Sequence, residues 1–210
     1  MKPTQLLSRQ TVLKLVFESA LIVFSVLLAL FLNEYRGQLK ENQQKELAMQ
    51  MVTIELRANL ETFNEWRPYH KEVLKNLNEA LKSDSSKNTL YTENGLLRWS
   101  LMPSGVVQRL VDNASWQTLK ASSVSSTIDF NTMFTLSKLY KLQAHGVEST
   151  LNNILTIISS RESLEKKNQR STIMLLRNAF DQLVSQETFI ISKYEQAFIE
   201  IGIQDGESKK

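Results

Sequence analysis

The chain has 210 residues and a net charge of +3, which leaves room for one domain of ordinary size after a single membrane anchor. Its apolar share of 42% is too low for a polytopic membrane protein, and its charged share of 22% argues against wholesale disorder. The absence of Cys excludes disulfides and thiolate metal sites, while only 3 Pro and 6 Gly residues favour long helices.

The basic residues are interspersed with acidic ones along the chain rather than concentrated in one patch. A nucleic-acid-binding protein usually gathers its Lys and Arg side chains on one face. The charge pattern is therefore typical of a solvated surface, and we predict no nucleic-acid partner.

The first predicted element is a membrane anchor. Residues 19–32 read SALIVFSVLLALFL and carry no charge. Adding residues 15–18 gives a helix of about 18 residues that spans roughly 27 Å, close to the thickness of a bilayer's hydrocarbon layer. We predict a short tail at 1–14, a transmembrane helix at 15–34 and a lipid bilayer as the first partner.

Two other interpretations of this apolar run are weaker. A cleavable signal peptide needs a small-x-small site after the run, but Asn33, Glu34 and Tyr35 follow it. A buried helix of a soluble protein would normally show a polar face, and this run has none. Three Lys or Arg residues precede the run (Lys2, Arg9 and Lys14) and three lie in the flank that follows it (Arg36, Lys40 and Lys45). Because these flanking counts are equal, the orientation rests on a modest excess of Glu in the second flank. We favour the carboxy-terminal part outside, in the periplasm of a bacterium, with the anchor in the inner membrane.

Glu18 is the unusual residue of the anchor, because a carboxylate in lipid is costly. It could contact a partner helix within the membrane. The alternative is that Glu18 lies within one turn of the interface and reaches the headgroups beside Lys14, four residues earlier.

A long helix is predicted over residues 33–67. Two neighbouring apolar stripes recur at spacings of three and four residues. The first stripe contains Met49, Val52, Leu56, Leu60 and Phe63, and the second contains Leu47, Met51, Ile54 and Ala58. Together they make a wide apolar face that needs a partner. We expect Pro68 to end or kink this helix, with a shorter helix following through Val73, Leu74, Leu77 and Leu81.

The middle of the chain, about residues 83–126, is the least regular. Residues 82–88 read KSDSSKN and predict a polar loop. We expect short helices at 94–101 and 106–122, and a turn or helix cap at 122–127.

Two long periodic segments follow, each interrupted by one polar residue. The first runs from Met133 to Ile158 with Gln143 at a seam position, and the second from Ile173 to Ile201 with Glu187 at one. A polar connection at 163–170 has the length expected between antiparallel helices.

The fold class predicted from these elements is all-α. An N-terminal transmembrane helix is followed by an antiparallel helical bundle with long, coiled-coil-like helices at 35–204. A frayed tail is expected at 205–210.

The stretch 114–143, ASWQTLKASSVSSTIDFNTMFTLSKLYKLQ, resembles a pattern in an uncharacterised bacterial family of membrane-anchored helical proteins. Those proteins also begin with a hydrophobic helix and an Asn/Glu-rich flank, as residues 32–34 do here. The family often has Gly in the turn where this chain has Ser123. The resemblance implies a shared fold and membrane attachment, and it supplies no activity.

Trp116 and Tyr140 are the candidate site residues of the helical domain. Either they line a groove for a ligand or partner, or they plug the core where several helices meet. His70 and His145 are each isolated in sequence. Either could act as a general base, but we expect each to be a surface or capped residue. No phosphate-binding, dinucleotide-binding or nucleophile-elbow motif is present. We therefore expect no catalytic residues, no cofactor and no metal.

The function predicted from these features is a non-enzymatic interaction or scaffold protein, anchored in the membrane, that binds a protein partner or forms a homo-oligomer. Two alternatives stay open. One is a ligand-sensing helical domain that works with a separate signalling partner. The other is an accessory subunit of a channel or transporter that uses Glu18 for contact.

Overall fold

The computed structural model describes residues 9–82, 89–92, 94–98, 100–106 and 109–203. The predicted frayed tail at 205–210, most of the predicted polar loop and the first part of the short amino-terminal tail lie outside these residues. The described chain is helical, and its one β feature is an isolated antiparallel bridge between Tyr91 and Leu97. The all-α prediction is confirmed to that extent.

The first helix, α1, covers Arg9–Lys82 and therefore contains the predicted anchor. Within the described residues it is the one helix that is long and apolar enough to cross a membrane. Large apolar side chains from Leu13 to Leu32 are about half exposed or more, as expected of a segment whose partner is lipid. The chain divides into two compact units, residues 1–47 and 48–210.

Pro68 lies inside α1, so the expectation that it ends the helix is wrong. Proline removes one backbone N–H from the helix ladder. The turns on both sides are held by packing, because Phe63, Trp66, Val73 and Leu77 are all buried in the same core. Burial of each large side chain stabilises by about 1.5–3 kcal/mol, which offsets one lost hydrogen bond.

Among the described residues, five more α-helices follow α1. The short ones are α2 (Ala114–Ala121) and α5 (Arg161–Leu164), and the longer ones are α3 (Phe130–Leu142), α4 (Ser149–Ser159) and α6 (Gln169–Glu200). Short 3₁₀ turns at Ser123–Thr127 and Lys166–Asn168 connect them. A π-helical turn, Gln143–Glu148, joins α3 to α4.

The irregular segment contains less helix than the sequence predicts. In place of a helix at 94–101, the described residues form a turn in which Thr92 accepts from Gly95 and Leu96, and Gly95 has a φ of +76° that favours glycine.

The second expected helix, at 106–122, is also too long. The side chain of Asp112 accepts from the N–H groups of Asn113 and Ala114, 2.7 and 3.0 Å away, and α2 begins only at Ala114. Local side-chain bonds of this kind compete with the helix ladder.

The connection at 163–170 likewise contains helical turns. Ser160 accepts from the N–H of Ser163 and caps the start of α5, a short helix that the sequence does not predict. The side chain of Gln169, at the start of α6, donates to the carbonyl of Ser163, 2.8 Å away.

One hydrophobic core lies within residues 48–203, and all the longer helices contribute to it. Most of its largest fully buried side chains come from α1, α3, α4 and α6, and they include Phe63, Leu56, Leu136, Ile154, Phe180, Leu183 and Tyr194. Phe63 of α1 and Tyr194 of α6 have ring centroids 5.6 Å apart, so the first and last helices meet directly in this core.

Candidate functional site

A network of polar side chains is buried among the core residues. It consists of Glu55 and Asn59 from α1, Tyr140 from α3, Gln143 from the π-helical turn and Tyr194 from α6, and each is at most 7% exposed. Burying so many polar groups is costly unless each finds a partner. The hydrogen-bond partners of these side chains therefore indicate what role the polar network has.

Glu55 holds the start of α2. Its carboxylate accepts from the backbone N–H of Ser115 at 2.6 Å, from that of Trp116 at 3.3 Å and from the Tyr140 hydroxyl at 2.5 Å. Asn113, the residue at the usual capping position, makes no side-chain cap bond. A carboxylate from a distant helix therefore satisfies the first N–H groups of α2 and also interacts favourably with its dipole.

Asn59 and Gln143 continue the polar network. Asn59 donates to the carbonyl of Asp112 at 2.6 Å and accepts from its N–H at 2.8 Å. Gln143 accepts from the Tyr194 hydroxyl and donates to Glu148 at 2.8 Å. The predicted seam residue Gln143 is thus buried and bonded to neighbours on several elements.

Burial raises the pKa values of Tyr140 and Tyr194 well above the usual value of a phenol. For Tyr140, the hydrogen bond to Glu55 acts in the same direction. Both hydroxyls therefore stay protonated donors, and their acceptors are already in place. The polar network fixes the positions of helices and offers no activated nucleophile.

Trp116 and Tyr140, the two candidate site residues, are brought together. Their rings stack with centroids 5.4 Å apart and an angle of 1° between planes, and they are 3% and 5% exposed. Lys120 covers the Trp116 ring from 5.3 Å. The pair fills the core between α2 and α3, and does not line any of the described grooves.

Glu18, the third candidate, lies in the other unit of the chain. Its carboxylate is 3.9 Å from the ammonium group of Lys14, with a side chain 56% exposed. Lys14 and Glu18 are four residues apart on the same helix, and both interpretations of Glu18 stay predictions.

A buried pair of polar side chains, separate from the polar network, was not predicted from the sequence. His70 of α1, expected at the surface, is 1% exposed, and its Nδ1 is 2.5 Å from the carboxylate of Glu187, which is 0% exposed. The other Glu187 oxygen has no hydrogen-bond partner among the described residues. The spacing Phe63, Trp66, His70, Val73 was the available signal, but the expected break at Pro68 obscured it.

The outer surface of α1 carries the second apolar stripe. Met51 is 49% exposed and Ile54 is 54% exposed, and Leu110, from the irregular segment, is 79% exposed. These three side chains line a shallow groove of about 330 Å³ that also reaches Glu55 and Arg109. We call Met51, Ile54 and Leu110 the outer patch.

Among the described residues, no group of three His, Asp or Glu side chains could hold a metal ion. Comparisons with protein-family models, with curated proteins and with solved structures found no match for this chain. The resemblance to a bacterial membrane-anchored family therefore stays a prediction.

Proposed function

We propose that this chain is a membrane-anchored, non-enzymatic interaction protein that associates with a second copy of itself through the outer patch. The proposal rests on one observation, which is that the two apolar stripes of α1 differ in burial. Of the two apolar stripes in its sequence, the first is used by the core, with Val52, Leu56 and Phe63 fully buried. The second stripe is left at the surface.

A second copy is the occupant that suits the outer patch best. Two copies anchored by the same segment have the same direction and the same depth, so identical patches can meet about a two-fold axis. A shared membrane also raises the effective concentration of one copy around another. Three side chains make less than the roughly 800 Å² per partner of a stable soluble interface, so the anchor is needed for association.

The proposed architecture is an antiparallel helical bundle with coiled-coil-like packing. Two contacts between residues of α1 and α6 support the antiparallel arrangement. Arg170 donates to the carbonyl of Leu81 at 3.1 Å, and His70 contacts Glu187. Residue numbers thus fall along α1 as they rise along α6, which is the order expected of antiparallel neighbours.

We also propose that the anchor lies in a bacterial inner membrane with the helical domain in the periplasm. The apolar segment of α1, which has no buried residue in its most hydrophobic window, supports the membrane part of this proposal. The orientation rests on the flanking charges described above.

The orientation can be tested by placing a single Cys at Ser185, an exposed residue of α6, in the naturally Cys-free chain. A membrane-impermeant maleimide is expected to label S185C in intact spheroplasts, and Gln5→Cys only after lysis. The opposite pattern would place the helical domain in the cytoplasm.

Self-association is tested by disulfide formation in membranes. Since Cβ atoms must approach to about 3.5–4.5 Å for a disulfide, Ile54→Cys is expected to give a product of twice 24.1 kDa under mild oxidation. The matched control S185C, exposed on α6, is expected to remain a monomer.

A third variant distinguishes a crosslink formed at a specific interface from one formed by random collision. Adding Met51→Glu to I54C places like charges at the centre of the interface and is expected to suppress the crosslink. Equal crosslinking of I54C and S185C would contradict self-association through this patch. An I54C product of another mass would identify a different protein as the partner.

A further inference from the structure

A groove separate from the outer patch lies where the π-helical turn passes α6. It encloses about 420 Å³, within the range of about 300–1,000 Å³ that is typical of small-molecule sites. Its walls are mostly apolar and include Leu142, Val147, Phe189 and Ile190. Val147 and Ile190 are buried, while Phe189 is half exposed and forms one open side. We call this the π-turn groove.

The rim of the π-turn groove is basic. Lys138 and Lys141 of α3 and the imidazole of His145 line it, and none of its described lining residues is acidic. Within the described part of the chain, neither lysine ammonium group pairs with a carboxylate. Glu200, which lines an adjoining smaller groove, accepts hydrogen bonds from Thr135 and Gln196.

One polar group inside the groove lacks a partner. Gln186 lines the wall contributed by α6, and its amide oxygen is buried without a hydrogen-bond partner among the described residues. Buried polar groups are normally satisfied. A water that enters the groove with a bound molecule would supply the missing donor.

The π-helical turn itself places these groups. A π-helical turn adds a residue to the helix and shifts the side chains that follow it around the axis, and such turns occur frequently at functional sites. Here the buried Val147 is part of the groove wall, while His145 lies at the exposed rim. Gly146 contributes no side chain between them, which leaves the floor open.

From these observations we propose that the π-turn groove binds an amphipathic anion, with an apolar chain against Leu142, Val147 and Ile190 and an acidic head between Lys138 and Lys141. A neutral apolar ligand would leave the two ammonium groups unused, and a small hydrophilic anion would leave the apolar wall uncovered. The ligand is either a free fatty-acid-like carboxylate or the acyl chain and headgroup of an anionic phospholipid. The proposal does not depend on self-association.

The test uses the full chain in phosphatidylcholine nanodiscs and three diazirine-bearing probes. These are a dodecanoate, the matching dodecanol, and a phosphatidylglycerol with a labelled acyl chain. Mass spectrometry then locates the attached probe. We expect labelling between Leu142 and Val147 or between Gln186 and Ile190, stronger by roughly tenfold for the anionic probes than for dodecanol.

The double variant Lys138→Gln with Lys141→Gln is expected to reduce labelling by the anionic probes roughly tenfold. Its matched control is Lys71→Gln with Lys75→Gln, two exposed lysines of α1. Because all four side chains are exposed, both variants should keep the melting temperature of the unaltered chain, and this is checked by circular dichroism.

Each outcome decides the proposal. Lysine-dependent labelling by dodecanoate supports a free carboxylate, and lysine-dependent labelling by phosphatidylglycerol alone supports a membrane lipid. Equal labelling by dodecanoate and dodecanol, labelling that survives loss of both lysines, or labelling elsewhere on the chain would overturn it.

Discussion

Replacing Glu55 with alanine is expected to lower the free energy of unfolding by about 3 kcal/mol. The change leaves three donors without their acceptor, namely the N–H groups of Ser115 and Trp116 and the Tyr140 hydroxyl. It also removes the charge at the start of α2. Near-ultraviolet circular dichroism during denaturant unfolding measures the loss, because the stacked Trp116 and Tyr140 rings report on this region.

Two further variants sharpen this prediction. Glu55→Gln keeps one acceptor oxygen and is expected to cost only about 1–2 kcal/mol. Glu72→Ala removes an exposed carboxylate from the same helix and is expected to change stability by less than about 0.5 kcal/mol. If E55A were as mild as E72A, Glu55 would not be the cap of α2.

The second large effect is expected at the buried pair of His70 and Glu187. Replacing His70 with alanine leaves the carboxylate of Glu187 buried and without its His70 partner, which costs about 3–5 kcal/mol near neutral pH. Replacing both residues with leucine removes the buried polar groups together and is expected to recover most of that loss. A double variant as unstable as H70A would show that the pair is needed for more than charge compensation.

The free energy of unfolding of the H70A variant is also expected to depend on pH, in a defined direction. Burial raises the pKa of Glu187 above its usual value of 4.5, and the contact with His70 acts against that rise. Without His70 the pKa of Glu187 rises further. The folded state then binds a proton more tightly than the unfolded state, so stability is lost as pH increases from about 4.5 through the raised pKa.

The measurement compares unfolding free energies of H70A and of H70A with Glu187→Gln across pH 4.5–7. The first is expected to become more stable as pH falls, and the second should lack this contribution because its amide does not titrate. Parallel pH profiles would contradict the assignment to Glu187.

Periodicity predicts the helices well, because a side chain every three or four residues decides which face of a helix is buried. It correctly places Gln143 and Glu187 on the core side of their helices, where both are at most 1% exposed. Trp116 is singled out from the stretch that carries the family resemblance and not from periodicity, and its contact with Tyr140 is set by tertiary packing.

The partners of the buried polar groups could not be predicted in the same way. Glu55 caps a helix that begins 59 positions later, and His70 meets a residue 117 positions away. A single sequence carries no information on such pairs beyond the presence of a polar residue in an apolar stripe. Pro68 misled the prediction because local propensity yields to packing when residues on both sides are buried.

The distance in sequence between His70 and Glu187 has a consequence for how the protein is made. A ribosome adding roughly 5–20 residues per second needs about 6–23 s to pass from one to the other. During that time the core-facing stripe of α1, including Leu56 and Phe63, has already been synthesised. The helix that covers this stripe, α6, has not. A message truncated before Gln169 would yield a polypeptide that never acquires α6, and its exposed stripe would make it a substrate for chaperones and proteases.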